Sequence, residues 1–178
     1  MAGSLIKIDE EIVTSAVASV TLGGSNWDSS YDVYMVRLNN VIPDTDGIYL
    51  RCRVTVPTPS AGTPDTSANY DRAGKNLSAS AFSNGSGTNE TASYVLNNPN
   101  GTGISESTNG ILYLFNFNNS SEYSFMTLET TALTSTPTHF GTQGGIVHTV
   151  AQTCDGIQFY FNGGNINSGV FTLYGLKK

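Results

Sequence analysis

Asp44 and Asp46, two residues apart and followed by Gly47, are the residues of this chain most like a metal loop. Calcium takes carboxylate oxygens from alternate residues of a loop that turns on a glycine. Asp44-Thr45-Asp46-Gly47 supplies that opening, but no glutamate follows at the spacing that would complete the ligand series. The same residues read more simply as a turn whose aspartates cap their own backbone before a strand. His139 and His148 lie in separate segments without H-x-x-x-H spacing, and Cys154 does not complete a ligand set with them. No phosphate-cradling loop, dinucleotide fingerprint or G-x-S-x-G nucleophile elbow occurs, and no pair stands out among the 14 acidic residues. The expectation is a protein that is not an enzyme and takes no cofactor, with Asp44 and Asp46 as a weak calcium candidate.

Aromatic rings are the other possible binding signal. Most, including Tyr31, Tyr34, Tyr113, Phe115, Phe125, Phe159 and Phe171, sit in strand-like segments and are read as packing. Trp27, Tyr70, Phe82 and Tyr94 fall outside them, and Tyr70, Phe82 and Tyr94 are singled out as candidate contacts to a ligand such as a glycan.

The elements that would position these residues are strands. The 178 residues, enough for one domain with a real core, include 17 Asn, 20 Ser, 21 Thr and 19 Gly. Such side chains compete with the helix backbone, while Thr, Val, Ile, Tyr and Phe suit half-buried strands. Over 47–56, Ile48, Leu50, Cys52, Val54 and Val56 alternate with Tyr49, Arg51, Arg53 and Thr55, so one face points to the core and the other to solvent. Similar patterns cover 31–38, 110–117, 123–133, 145–151, 156–161 and 169–176, with weaker ones at 5–8 and 17–22 separated by a turn or a short helical turn at 9–16. Turn residues punctuate them at 22–25, 42–47, 118–121 and 162–165. The fold expected is an all-β, antiparallel, jelly-roll-like β-sandwich filling residues 1–178. Its core or an interface should hold Ile48, Leu50, Val54, Ile111, Phe115, Phe159 and Leu173. Residues 1–22 read as an N-terminal arm or strand. Residues 57–109, with four of the six prolines, read as an exposed elaboration holding one or two short strands or a hairpin near 68–81 and 93–96.

Cys52 and Cys154 lack CxxC spacing and read as two buried reduced thiols, a bridge between them being the alternative. Eight Lys and Arg against 14 Asp and Glu give a net charge of −6, which disfavours duplex nucleic acid as a partner. No apolar run reaches the length of a membrane span, and Lys7, Asp9, Glu10 and Glu11 interrupt what a signal peptide would keep apolar. Synthesis in the cytoplasm is expected. The N-x-[ST] sequons at Asn76, Asn84, Asn89, Asn100, Asn118 and Asn119 are then a by-product of composition.

The blocks LIKIDEEIVTSAVASVTL, YDVYMVRLNNVIPDTDG, ILYLFNFNNSSEYSF and SGVFTLYGLKK together resemble short structural proteins of marine tailed bacteriophages, including cyanophage-like viruses. The resemblance is weakest over 58–109. It implies a virion component with a β-sandwich fold and no active site. The function expected is a capsid decoration or cement protein on the virion surface, the alternative being a glycan-binding module of a tail fibre. Implied partners are the major capsid protein or tail and fibre proteins, further copies in a homotrimer, and a host-surface glycan. Leu5, Ile6 and Ile8, with Asp44 and Asp46, are the candidates for particle attachment through strand addition or an arm.

Overall fold

Strict alternation of burial along 124–133 sets the pattern for the whole molecule. Ser124, Met126, Leu128, Thr130 and Ala132 are buried, whereas Phe125, Thr127, Glu129 and Thr131 point outward. A pleated strand sends successive side chains to opposite faces, so such a sequence must cover one face and leave the other bare.

The computed structural model describes residues 4–177. Its strands are β1 (Ser4–Val13), β2 (Val20–Gly23), β3 (Val33–Pro43), β4 (Leu50–Val56), β5 (Thr63–Pro64), β6 (Tyr70–Ser78) and β7 (Phe82–Glu90). There follow β8 (Ser93–Tyr94), β9 (Thr108–Phe115), β10 (Ser124–Leu133), β11 (His139–His148), β12 (Gly156–Phe161) and β13 (Ile166–Lys177). An eight-stranded sheet runs β1-β13-β3-β9-β10-β11-β6-β7, and a five-stranded sheet runs β2-β12-β4-β5 with β8 also on β4. Neighbours pair antiparallel throughout, and the chain crosses repeatedly between the sheets, making the expected all-β sandwich.

Between the sheets, Leu50, Cys52, Val54, Ile157 and Phe159 of the small sheet meet Tyr34, Val36, Leu112, Leu114, Phe171 and Leu173 of the large one. Leu50, Val54, Phe159 and Leu173 are therefore core as expected, and Ile48 packs against it half-buried. Ile111 and Phe115 are not: Ile111 is 39% exposed, Phe115 is half-buried, and the inward positions belong to Leu112 and Leu114. Both faces of 111–115 are apolar, so alternation alone does not say which is inside. Phe117 is nonetheless buried, because Asn116 adopts a left-handed conformation (φ 63°) that breaks the alternation between Phe115 and Phe117.

The segment 1–22 takes the strand form of its two readings: β1 forms the edge of the large sheet along β13 and β2 joins the small sheet, and β1 continues through 9–13, where a turn or short helical turn was expected; residues 1–3 lie outside the described residues. A bulge between Lys7 and Asp9 shifts the β1 register. Within 57–109, β6 and β7 form a hairpin that extends the large sheet from β11 to its edge, with most of β7 exposed.

Candidate functional site

Two faces of the sandwich carry side chains that packing does not consume. On the outward face of the large sheet, cross-strand partners line up in rows. Leu5 lies opposite Leu176, and farther across the sheet Val33, Phe115, Phe125 and Val147 face one another in turn. In the next row Tyr174, Met35 and Tyr113 follow in register. Leu5 is 49% and Phe125 43% exposed. Cross-strand neighbours on one face stand within contact distance, so these residues form an apolar stripe across the sheet rather than scattered hydrophobes.

The outward face of the small sheet is different in chemistry. Arg51 and Arg53 are the solvent-side residues of β4, and both are half-buried by neighbouring rings. Arg51 lies opposite Tyr94 of β8 and Tyr160 of β12, and Arg53 opposite Gln158. The Arg51 guanidinium sits 4.3 Å from the centre of the Tyr94 ring and donates from Nη2 to the Tyr94 hydroxyl. Arg72, reaching over from β6 in the other sheet, approaches the same ring at 4.4 Å and holds Glu90 in a two-pronged pair, Nε to Oε2 at 2.7 Å and Nη2 to Oε1 at 3.3 Å. Arg53 lies 4.4 Å from the Tyr160 ring and donates from Nε to the Thr91 carbonyl at 3.0 Å. Tyr49 meets Tyr94 edge-on at 5.3 Å. Among the described residues Arg51 and Arg53 form no ion pair, and the buried Nε of Arg51 has no hydrogen-bond acceptor.

The sequence-level candidates scatter. Tyr70 cannot touch a ligand: it is fully buried, its hydroxyl accepting from the Val54 amide at 3.1 Å and donating to the Asp65 carbonyl at 2.8 Å. Phe82 is 77% exposed at the start of β7, and Tyr94 belongs to the arginine cluster, so the three rings do not form one site. Trp27 packs at 4.0 Å against Tyr34 and donates to Asn118 Oδ1. Of the attachment candidates, Leu5 and Ile6 are exposed on the edge strand, but Ile8 packs against the core. Asp44 and Asp46 sit by the start of β13, where Pro43 pairs with Ile166, whereas Leu5 pairs with Leu176 near its end. At about 3.3 Å per residue the two groups lie roughly 33 Å apart, at opposite ends of β13.

The Asp44 carboxylate is engaged as a turn cap, accepting from the Asn165 amide and the Asn165 side chain at 2.8 Å each and from the Thr45 hydroxyl at 2.9 Å. The hydrogen bond from the Asn165 amide leads those that lower its pKa. Among the described residues no three His, Cys, Asp or Glu side chains converge as a metal site would require. Cys52 and Cys154 are buried free thiols rather than a bridge.

No protein-family model matches the chain, and no curated protein or solved structure matches it at a significant level.

The arginine–tyrosine cluster was partly written in the sequence. Arg51 and Arg53 were visible as the solvent face of the best strand, but nothing linear linked them to Arg72, Tyr94 or Tyr160, which long-range strand pairing brings alongside.

Proposed function

We propose that the chain is a non-enzymatic structural protein of a phage particle, a decoration or cement protein that lies against neighbouring virion proteins. The observation that supports this reading most is the apolar stripe on the outward face of the large sheet, which begins at the Leu5 end of the edge strand and continues over Phe115 and Phe125. A wide, hydrogen-bonded sheet presents such a stripe in fixed shape, as docking onto a repeating lattice requires, and its apolar area gains from being covered. The resemblance of the four sequence blocks to marine phage proteins points the same way. In this reading attachment uses Leu5, Ile6 and the stripe, not the Asp44–Asp46 turn at the other end of β13. The partners are the major capsid protein or tail and fibre proteins, with a homotrimer as the assembly that closes free sheet edges.

A tail-fibre glycan-binding module is the second reading, favoured by the outward-pointing Phe82 ring at the head of β7.

Electron microscopy of intact particles of the encoding phage tests both. Density fitting the sandwich on the head, with Phe125 toward a neighbour, is the expected result; density on the tail fibre selects the second reading, and absence from purified particles overturns both. Phe125→Ser combined with Leu5→Ser should cut loading of added protein onto stripped particles while leaving its strand signal in circular dichroism unchanged.

A further inference from the structure

We propose that the Arg51–Arg53 face of the small sheet binds an acidic saccharide through its carboxylate. The proposal concerns the isolated protein and does not rest on its location in a particle.

Charge placement is the first ground. In a chain of net charge −6, three of the four arginines converge on one patch, and Glu90, bound to Arg72, is the carboxylate that joins them. Arg51 and Arg53 carry their charge without an ionic partner among the described residues. A half-buried guanidinium loses hydration, and an anion that restores the lost contacts is favoured there more than at an exposed lysine.

Preorganisation is the second. The rings of Tyr94 and Tyr160 lie 4.3 and 4.4 Å from the Arg51 and Arg53 guanidiniums, and bonds to the Tyr94 hydroxyl and the Thr91 carbonyl fix them further. Their planar forks are therefore held before a ligand arrives, which suits the two-pronged geometry of a carboxylate and reduces the ordering cost of binding.

A polar row continues from Arg53 across the sheet. Arg53, Gln158 and Thr21 follow one another across β4, β12 and β2. Strands lie about 4.8 Å apart, a step comparable to one pyranose residue, so guanidinium, amide and hydroxyl could meet the carboxylate and hydroxyls of successive sugars. A nucleic acid would bring one phosphate per nucleotide to a protein of the same sign, which its overall charge opposes.

The test is binding of the purified full chain to an array of uronate- and sialate-bearing oligosaccharides, each beside its carboxyl-reduced neutral counterpart, with inorganic phosphate and single-stranded DNA as competitors. Saturable binding of at least one acidic member, about tenfold or more over its neutral partner, is expected. Arg53→Gln should lower that affinity about tenfold with an unchanged circular dichroism spectrum, and Arg37→Gln, on the opposite face of the sandwich, should leave it intact. Arg51→Gln is read alongside, with its melting temperature checked because that side chain is half-buried. The proposal is overturned if no acidic member is preferred over its neutral partner, if Arg53→Gln and Arg37→Gln behave alike, or if DNA or phosphate displaces the saccharide at equal concentration.

Discussion

His148 and Asp65 meet inside the sandwich, Nε2 to Oδ2 at 2.7 Å, joining the end of β11 to the loop between β5 and β6. His148 is fully buried, its ring 5.2 Å from that of Tyr70, whose hydroxyl in turn donates to the Asp65 carbonyl. The pair thus ties the large sheet to the segment that crosses to the small one, and the buried Nδ1 of His148 has no partner among the described residues. Burial pushes the Asp65 carboxyl up, but hydrogen bonds from His148, Asn69 and Ser67 together outweigh it and bring its pKa from an ordinary 3.8 down to about 2.

That shift sets an acid limb of stability. A carboxyl with a lowered folded-state pKa contributes stability above its unfolded value, here about 3.8, and loses it as pH falls through about 2. Melting temperatures of the wild type and Asp65→Asn should differ most above about pH 4 and converge toward pH 2. A gap independent of pH over that range would assign the bond no ionic part.

The two faces of β9 predict opposite responses to truncation. Leu112 is fully buried, whereas Ile111 lies on the outward face of the sheet between Arg37 and Glu129. Leu112→Ala should cost about 2–5 kcal/mol in urea unfolding, the range for a buried leucine, while Ile111→Ala should stay within about 0.5–1 kcal/mol.

Both thiols should be silent in the folded state. Burial raises the Cys52 pKa to about 12 and, as the leading cause, the Cys154 pKa to about 11, so almost no thiolate forms near neutral pH. Treatment with an aromatic disulfide reagent should label neither until denaturant is added and should then label two per chain. Native labelling at either position would show that this part of the core opens.

Gly23 marks a backbone constraint. It has φ +93°, and a Cβ there would lie 2.5 Å from the Asp155 carbonyl oxygen. Gly23→Ala should therefore destabilise by more than about 1 kcal/mol, combining an unfavourable φ with a clash against backbone. Calorimetry beside Gly47→Ala, whose φ is +76° with open space around the added carbon, separates the clash from the backbone term.

The class of fold was legible because alternation and turn residues act locally: 50–56 of the segment 47–56, 124–133 of 123–133, and 156–161 became strands with their apolar side inward. Which side of 110–117 faces inward was not, since leucines on one face and aromatics on the other are equally apolar, and Asn116 switches sides by its own backbone conformation. Tyr70 looked like a surface ring because its segment is polar. Its burial depends on the Val54 amide and the Asp65 carbonyl, groups whose position no local pattern reveals. The arginine cluster likewise exists only once β4, β8 and β12 are side by side.

The bulge after Lys7 limits what the margin of the molecule can template. It splits the outer edge of β1 into a stretch at 4–7 carrying Leu5 and Ile6 and a stretch at 9–13 carrying Asp9, Glu10 and Glu11. A displaced ladder discourages an incoming strand, and so does the exposed charge of Glu11, whereas Asp9 is taken up by the Gly23 amide and Glu10 by Lys7. Any chain that zips onto this margin is therefore confined to a short tract beside Leu5, long enough to choose a neighbour yet too short to propagate into a ribbon of identical copies.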